Sequence, residues 1–407
     1  MNIQLQNNAY IPKRGVGGGP VSYLTHGSRA LAGRGHAVSI LCRRSDVDRL
    51  PWATVRQYDY GRIHGRQWLL EPLILARRLR RVVRQHAAGV ELALVRNPFF
   101  AYAMATAMPG VPMIYITPGN AAREFAINYL LGPGVKTRAF HLLQRAQYRY
   151  IEATALRRSP HIVVFTQIWR RELMDSYGVH ATKISVLPPG VTLDSPEVRR
   201  DDTVYDELGI PPEAPIVLCV CRLVRQKNLP FLVRAFAALR HRGAYLVLVG
   251  EGPEKASLAR VVAEAGVGPR VRLTGFREDV ARFLSVATVF ALPSLYESLT
   301  FSFLEALGSG VPCIGVRADY PRRVTTADEL IQDGVTGYCI GGASEAELTE
   351  ALDRILGDPA LRQRMGEEAR RRCWRMYDWG RHVDGLMALA AQIGAGNGAV
   401  RPVGGLR

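Results

Sequence analysis

Short apolar runs alternate with longer amphipathic stretches along most of the chain. In the first half, helical patterns such as residues 21–32 and 102–107 separate runs with the length and composition of buried strands. The strands predicted there are residues 2–5, 37–42, 91–95, 112–116 and 161–165. This alternation is typical of βαβ units, in which helices cover both faces of a parallel sheet.

The alternation is interrupted once and then restarts. Residues 186–196 are rich in Pro and turn formers and a charged stretch follows at 197–202, so a linker is predicted here. Beyond it, strands are predicted at residues 215–221, 244–249, 271–273, 288–292 and 312–315, with helices near 229–239, 254–265, 279–285, 301–307 and 345–356. The pattern predicts an α/β fold of two Rossmann-like domains, residues 1–190 and 191–373. The glycine-rich end, residues 394–407, is predicted to be a mobile tail.

Basic residues are concentrated in the first half. The 407-residue chain has a formal net charge of +17, and residues 1–190 carry 26 basic and 9 acidic side chains, whereas the remainder is balanced. A biased surface without a function is one interpretation. The other is an anionic partner for this half: an acidic substrate, a phosphate-bearing acceptor or a membrane surface.

Two predicted helices, residues 76–85 and 136–158, carry much of this excess. In the second, helical spacing relates Phe140, Leu143, Gln147 and Tyr150. Such a stripe is more often part of a core, and contact with an anionic membrane is the alternative.

Composition disfavours other classes of protein. Hydrophobic residues make up 48% and charged residues 22%, which is ordinary globular usage. No run approaches the ~18 apolar residues of a membrane-spanning helix. The N-terminus lacks a basic region followed by an apolar core, so no secretory signal is expected. Six cysteines without a C-x-x-C pair support neither a zinc site nor a disulfide scaffold. A cytoplasmic protein is therefore expected.

A glycine-rich loop precedes the first predicted helix. Gly15, Gly17 and Gly18 lie between Lys13 and a helix that begins near Pro20. Glycines allow close approach of an anion and a helix N-terminus offers unpaired N–H groups, so the loop is either a phosphate cradle or a flexible surface loop.

A dinucleotide-binding site is the alternative for this loop. Arg43 and Arg44 would suit the 2′-phosphate of NADP. However, nine residues separate the first predicted strand from Gly15, where that fingerprint needs a tight turn. A nicotinamide enzyme is therefore disfavoured.

Two cations follow the first strand of the second half. The predicted strand ends at Cys221, and Arg222 and Lys227 then flank a loop that leads into a helix. Ligands of open α/β sheets bind beyond the carboxyl ends of the strands, and two cations there would suit a diphosphate. Gly250 lies in another tight turn between a strand and a helix.

Two glutamates, Glu297 and Glu305, lie eight positions apart. The run between them opens a helix, so Glu297 precedes the helix and Glu305 is expected some two turns into it. The N–H groups of residues 300–303, which include Thr300, Phe301 and Ser302, would point at an anion between them. One carboxylate would then reach each end of a sugar nucleotide. The alternative is two glutamates with no shared ligand.

Together these segments resemble the retaining nucleotide-sugar glycosyltransferases of the GT-B fold, in family 4. The resemblance covers residues 1–393 and is strongest in the second half. There the matching motifs are Arg222-x4-Lys227, the Gly250–Pro253 turn, Thr274-Gly-Phe276, Glu297-x7-Glu305 and the following Gly310-Val-Pro312. Gly17 and Gly18 match the family's N-terminal glycine loop, which faces the donor phosphates.

The resemblance implies the architecture and the residue roles. Two domains would face each other across a cleft, with helices near 374–393 crossing back to the first domain. Arg222 and Lys227 would neutralise the leaving diphosphate, and Glu305 would bind the ribose. Glu297 would contact the donor sugar. Gly250, Phe276, Thr300, Phe301 and Ser302 complete the expected donor site. The expected partners are a nucleotide sugar and a small-molecule, glycan or lipid-linked acceptor, with no nucleic acid, no cofactor and no metal.

Two departures from the family pattern leave alternatives open. Thr300 stands where the family often has glycine, and Pro118 lies at or near the place of an N-terminal-domain histidine. A sugar-nucleotide binder without transferase activity and a sugar-nucleotide epimerase therefore remain as second interpretations.

Overall fold

The computed structural model describes residues 1–7, 10–11, 19–61, 69–117, 119–129, 135–193, 195 and 197–395. The chain forms two compact units. Unit 1 comprises Met1–Gly190 together with the chain from Asp378 onward, and unit 2 comprises Val191–Tyr377. The predicted tail lies outside the described residues from position 396.

Unit 1 is built on a sheet with the strand order β10-β9-β8-β7-β1-β3-β6-β5, in which only β5 is antiparallel to its neighbour; β2 and β4 form a separate pair. Its strands are β1 (Asn2–Gln6), β2 (Tyr10–Ile11), β3 (Ala37–Cys42), β4 (Arg44–Ser45), β5 (Arg49–Leu50), β6 (Ala53–Gln57), β7 (Leu92–Val95), β8 (Met113–Ile116), β9 (His161–Val164) and β10 (Ile184–Val186). Its helices are α1 (Gly19–Ala32), α2 (Glu71–His86), α3 (Pro98–Ala107), α4 (Ala121–Tyr129), α5 (Val135–Arg158), α6 (Gln167–Tyr177) and, after unit 2, α15 (Trp379–Gly394).

The central strands and their helices follow from local sequence. β7 and β8 are four-residue apolar runs whose side chains are all buried, as expected for parallel strands covered on both faces. Helix α3 then begins where Asn97 accepts hydrogen bonds from the N–H groups of Phe99 and Phe100, with Pro98 as the first helical residue. The carboxyl end of β7 is therefore sharply defined.

Helix α15 packs against α1 within unit 1. The Tyr23 hydroxyl lies 2.7 Å from His382 Nε2, and the Tyr23 ring meets Trp379 edge to face. At the surface, Arg34 pairs with Asp384 at 2.5 Å. The C-terminal helix is thus part of the core of unit 1.

Unit 2 contains a six-stranded parallel sheet with the order β13-β12-β11-β14-β15-β16. Its strands are β11 (Ile216–Val220), β12 (Tyr245–Val249), β13 (Val271–Gly275), β14 (Val289–Leu292), β15 (Cys313–Val316) and β16 (Gly337–Ile340). Its helices are α7 (Thr203–Leu208), α8 (Leu229–Ala237), α9 (Lys255–Glu264), α10 (Val280–Val286), α11 (Phe301–Gly308), α12 (Ala327–Leu330), α13 (Glu345–Gly357) and α14 (Pro359–Met376).

The structure corrects several bounds expected from the sequence. Strands β6, β10 and β16 were not predicted: β6 is half exposed, β10 has three residues, and β16 begins with a glycine. The predicted linker starts inside β10, because Val186 pairs with Val164. Trp374 was expected in the returning helices, but its indole N–H donates to Gly308 O at 3.0 Å within unit 2.

The predicted stripe on α5 does not form one buried face. Gln147 is buried, whereas Leu143 and Tyr150 are 43% and 54% exposed. In the described part of the chain, no helix combines the length and apolarity needed to cross a membrane.

Candidate functional site

The site of unit 2 lies where its strand order reverses. From β11 the chain builds the sheet outward through β12 and β13, then returns to the other side of β11 with β14. The loops that leave β11 and β14 therefore diverge from neighbouring carboxyl ends and open a crevice, which is where ligands bind in such sheets. Arg222 and Lys227 lie in the first loop, and Glu297 lies in the second.

Lys227 and Glu297 form a buried ion pair across this crevice. The Lys227 ammonium contacts Glu297 Oε1, and the hydroxyl of Ser294 donates to the same oxygen at 2.7 Å. The N–H of Glu297 donates to Val324 O at 2.8 Å. A charge in this position needs a partner, since removing one member of a buried pair costs roughly 3–5 kcal/mol.

The pair controls the protonation of the lysine. Burial lowers the pKa of Lys227 and is the largest single effect, but the charge and hydrogen bond of Glu297 together with the interaction with Cys221 outweigh it, and the pKa lies above its ordinary value. Arg222 is exposed and close enough for its charge to oppose this rise. The crevice thus holds one exposed and one buried cation, with a single carboxylate on the buried one.

Backbone contacts between loops fix the position of Arg222. Leu223 N donates to Glu251 O at 2.9 Å, and Cys221 N donates to Val249 O at 3.0 Å. A Cβ on Gly250, whose φ is +140°, would lie 1.9 Å from Cys221 O. The donor-binding role of Gly250 stays a prediction; what the structure shows is that a glycine here lets these backbones meet.

The two crevice loops are also tied to each other. Leu295 N donates to Gln226 O at 2.8 Å, and the side-chain amide of Gln226 donates to Tyr296 O at 3.3 Å. These bonds hold the segment that carries Lys227 against the one that carries Glu297.

Helix α11 begins at the crevice, but its geometry differs in part from the expectation. Thr300 is buried and precedes the first helical residue, with Phe301 and Ser302 in the first turn. The N–H of Phe303 donates to Thr300 O at 3.1 Å, so it is not available to an anion as predicted. The Thr300 hydroxyl lies 3.4 Å from that of Thr326.

Glu305 is the fifth residue of α11, so it lies just over one turn into the helix and not two. Its Oε1 accepts a hydrogen bond from the Thr192 hydroxyl at 2.6 Å. Burial raises the pKa of Glu305, and this bond opposes the rise. The two glutamates thus have separate partners, Lys227 for Glu297 and Thr192 for Glu305.

An exposed aromatic ring follows the edge strand β13 of this sheet. Phe276 follows β13 directly and is 58% exposed, which is unusual for so large an apolar side chain. It lies at a strand's carboxyl end, and its place beside a nucleotide base stays a prediction.

Other expected residues lie outside the described part of the chain, namely Gly17, Gly18 and Pro118. Conversely, sequence reasoning assigned no site role to Ser294, Gln226 and Thr192. Thr192 lies in the predicted linker, whose composition indicates a domain boundary and no ligand. Nothing in the local sequence marks Ser294 or Gln226.

Two family models match the chain. The model described as Glycosyltransferase Family 4 matches residues 17–195, and that of Glycosyl transferases group 1 matches residues 201–372. Together they span both units on either side of the break between them. The chain belongs to the family 4 type of GT-B glycosyltransferases, as its motifs suggested.

Curated relatives match parts of this chain at about 30% identity. The alpha-D-kanosaminyltransferase of Streptomyces kanamyceticus is 27% identical over 60% of this chain and 64% of that protein. A GDP-mannose-dependent alpha-(1-6)-phosphatidylinositol monomannoside mannosyltransferase of Mycobacterium tuberculosis is 31% identical over 59% of this chain and 63% of that protein. The matched regions thus span less than two thirds of the length of these relatives.

Solved structures share the fold over nearly the whole chain. Sucrose-phosphate synthase from Thermosynechococcus elongatus has a TM-score of 0.79 at 22% identity, covering 97% of this chain and all of that one. Anabaena HepE in complex with UDP and glucose has a TM-score of 0.73 at 17% identity, covering 95% and 99%. The fold is therefore GT-B.

Proposed function

We propose that the protein transfers a sugar from a nucleoside-diphosphate sugar to a hydroxyl group of an acceptor, with retention of anomeric configuration. The observation that carries this proposal is the Lys227–Glu297 pair beside Arg222, at the strand-order reversal of unit 2. Two cations suit a diphosphate at this place. Family membership and the UDP and glucose bound to HepE support the same donor class.

In the proposed reaction the bond between the anomeric carbon and the diphosphate oxygen breaks, and the diphosphate leaves with the electron pair. Arg222 and Lys227 stabilise this developing negative charge. The anomeric carbon becomes oxocarbenium-like, as in glycoside hydrolysis, and Glu297 stabilises that positive charge while it contacts the sugar. The acceptor oxygen bonds to the anomeric carbon and passes its proton to the departing diphosphate oxygen. In this scheme cationic side chains do the work of a metal.

Binding of the donor would change the partners of Glu305. In this proposal the ribose hydroxyls donate to the Glu305 carboxylate and displace Thr192, which now donates to it at 2.6 Å. Phe276 offers an exposed ring for stacking against the base. Because the ribose replaces an existing hydrogen bond at Glu305, the binding free energy gained there is only the difference between the two interactions. Stacking and phosphate contacts therefore supply most of the affinity.

The test is calorimetric titration with a nucleoside diphosphate, selected by a thermal-shift panel. We expect Arg222→Ala to weaken binding by about 1.5–3 kcal/mol, the usual contribution of a charged hydrogen bond. Arg225→Ala is the matched control. Arg225 is an exposed cation in the same loop, and its ion pair with Glu254 is long, at 3.7 Å. Equal affinities of Arg222→Ala and the control would contradict the assignment.

Product analysis tests the chemistry. Nuclear magnetic resonance of the product should show the anomeric configuration of the donor, and activity should survive EDTA. An inverted product would refute retention, and activity lost in EDTA but restored by Mg²⁺ would refute metal independence. Nucleotide binding without transfer would favour the binding protein, and an isomerised donor without acceptor would favour the epimerase.

We also propose that unit 1 contacts an anionic membrane through the surface formed by α2 and α5. A cavity of about 770 Å³ there is lined by Arg77, Arg80 and Tyr150, among others. Leu142 and Leu143 are exposed on α5. Each basic residue near an anionic bilayer contributes about 1 kcal/mol, and apolar side chains add insertion.

Vesicle co-sedimentation tests this contact. Binding to vesicles that contain phosphatidylglycerol should exceed binding to phosphatidylcholine at low salt and fall at high salt. The double variant Arg77→Gln/Arg80→Gln should bind less, whereas Arg171→Gln, an exposed position on α6, should not. Equal sedimentation with both lipids at low salt would refute the proposal.

A further inference from the structure

A buried arginine lies at the strand-order reversal of unit 1. Arg96 follows β7 directly, and its N–H donates to Gln6 O of β1 at 3.0 Å. Strands β1 and β7 are neighbours in the sheet. Beyond β1 lie β3 and β6, and beyond β7 lie β8 to β10, so the strand order reverses between β1 and β7. Arg96 therefore occupies in unit 1 the place that ligand-binding loops occupy in such sheets.

The side chain of Arg96 is enclosed by aromatic rings. It is only 5% exposed, and its guanidinium carbon lies 4.1 Å from the centre of the Tyr23 ring and 5.2 Å from that of Phe165. Among the described residues, its Nε and Nη1 have no hydrogen-bond partner, although both are buried. Buried guanidinium nitrogens without acceptors are rare, because each forfeits its bonds to water.

No carboxylate balances this charge within the described residues, since no ion pair of Arg96 is found there. The parts of unit 1 outside the description contain no Asp or Glu at all. Burial lowers the pKa of Arg96 to about 10, so the group is still charged at neutral pH. An internal counter-charge from unit 1 is therefore absent from the described structure and unavailable from the rest of the unit's sequence.

The nearest titratable neighbours are neutral. Burial lowers the pKa of His382 to about 3, and it is held by the Tyr23 hydroxyl at Nε2 and by Pro188 O, 3.1 Å from Nδ1. Burial raises the pKa of Tyr23 well above its ordinary value. Neither group supplies a negative charge.

Stacking on rings compensates for only part of this burial. A desolvated cation–π contact contributes about 2 kcal/mol, while the effective penalty of burying an ion is several kcal/mol. An oxyanion at Nε and Nη1 would restore both the charge balance and the hydrogen bonds.

We propose that Arg96 binds an anionic oxygen group, a phosphate or a carboxylate, of the acceptor. This inference rests on the proposed function, because there is an acceptor only if the protein transfers a sugar. The donor diphosphate is assigned to Arg222 and Lys227 in unit 2, and the anion at Arg96 is assigned to the acceptor. Arg96 then selects acceptors by charge and aligns them without taking part in bond exchange.

Binding of inorganic phosphate tests the site directly. The protein is first saturated with the nucleoside diphosphate to fill the site in unit 2. With ¹⁵N-labelled arginine, the Nε–H signal missing from Arg96→Lys identifies Arg96, and it should shift with phosphate concentration. Arg96→Gln should bind phosphate at least about tenfold more weakly, Arg96→Lys should recover part of that affinity, and Arg56→Gln, exposed on β6 of the same sheet, should match the wild type.

Kinetics separates recognition from a purely structural role. With glucose 6-phosphate and glucose as acceptor probes, Arg96→Gln should raise KM for the phosphorylated probe at least about tenfold, with little change in kcat or in KM for glucose. A lower melting temperature together with equal changes in KM for both probes would show that Arg96 has only a structural role and would overturn the inference. Loss of nucleoside-diphosphate binding in Arg96→Gln would assign the anion to the donor and also overturn it.

Failure of the proposed function has a different signature. If the wild type transfers no sugar to any acceptor but phosphate still shifts the Arg96 signal, the anion site stands and the transfer proposal fails. If transfer occurs and phosphate affinity in Arg96→Gln stays within twofold of the wild type, the inference alone is wrong.

Discussion

The buried pair of Lys227 and Glu297 makes a prediction about stability that can be worked out from its surroundings. The two residues are only 9% and 7% exposed. Lys227→Met leaves the Glu297 carboxylate with the Ser294 hydroxyl, which donates at 2.7 Å, as its remaining side-chain partner among the described residues. Glu297→Gln leaves a buried ammonium with no carboxylate partner there.

Each single variant should destabilise unit 2 by about 3–5 kcal/mol, because it leaves one uncompensated buried charge. The double variant Lys227→Met/Glu297→Gln leaves none, and neutral replacements of a buried pair often cost little. Its loss should therefore be smaller than the sum of the single losses, with a coupling free energy of about 2 kcal/mol or more.

The protonation of Lys227 provides a second test, the sign of the pH dependence of stability. In Glu297→Gln the pKa of Lys227 loses the charge that raises it, and burial then places it below the unfolded-state value of 10.5. Between the lowered pKa and that value the unfolded state binds more protons, so the stability of this variant should rise with pH. In the wild type the pKa is raised, so stability should fall as pH rises through the folded-state pKa.

Urea unfolding followed by tryptophan fluorescence measures these effects. Trp374 is the only tryptophan between Val191 and Tyr377, so the transition absent from Trp374→Phe belongs to unit 2. This assignment is needed because a two-unit chain need not unfold in one step. If the double variant lost as much free energy of unfolding as the two single variants together, the argument from charge pairing would be refuted.

Three further predictions concern stability. Burial raises the pKa of Glu152 from 4.5 to about 7, so the stability of unit 1 should fall by roughly 3 kcal/mol as pH rises over that interval. Urea unfolding at several pH values measures this, and Glu152→Gln should flatten the pH dependence of stability. An unchanged slope in that variant would contradict the prediction. Gly250→Ala should destabilise unit 2 by roughly 3 kcal/mol and weaken nucleotide binding in calorimetry, because its Cβ would lie 1.9 Å from a carbonyl oxygen, whereas Gly268→Ala has open space and should change neither. Gly190→Ala should lower the melting temperature of unit 1, because its Cβ would lie 2.3 Å from a tryptophan ring atom, and an equally large effect of Gly110→Ala, which has no neighbour within 4 Å, would argue against a steric cause.

The sequence predicted most of what depends on short-range periodicity. Runs such as residues 113–116 are apolar throughout because both faces of a parallel strand are covered, and that composition is visible without a fold. Arg222 could be placed at a strand's carboxyl end for the same reason, whereas Phe276 was assigned by the family resemblance. Strands with weak local signals, such as β10 with three residues, were missed.

Partner choice was decided by the tertiary structure. Lys227 and Glu297 are 70 positions apart, and Thr192 and Glu305 are 113 apart. The sequence suggested a shared ligand for the cations and the glutamates, but it gave no means of pairing Lys227 with Glu297 directly. That contact exists because β11 and β14 are neighbours in the sheet, a consequence of strand order and not of local pattern.

Arg96 shows the same division most clearly. As one of 26 basic residues in the first half, it is indistinguishable in the sequence from the arginines at the surface. Only packing encloses it between Tyr23 and Phe165, which come from distant parts of the chain, and leaves its Nε and Nη1 without acceptors among the described residues. The sequence determined that the first half carries excess positive charge; the fold determined which of these charges is desolvated, because burial depends on how sheet and helices meet and not on the order of residues along either.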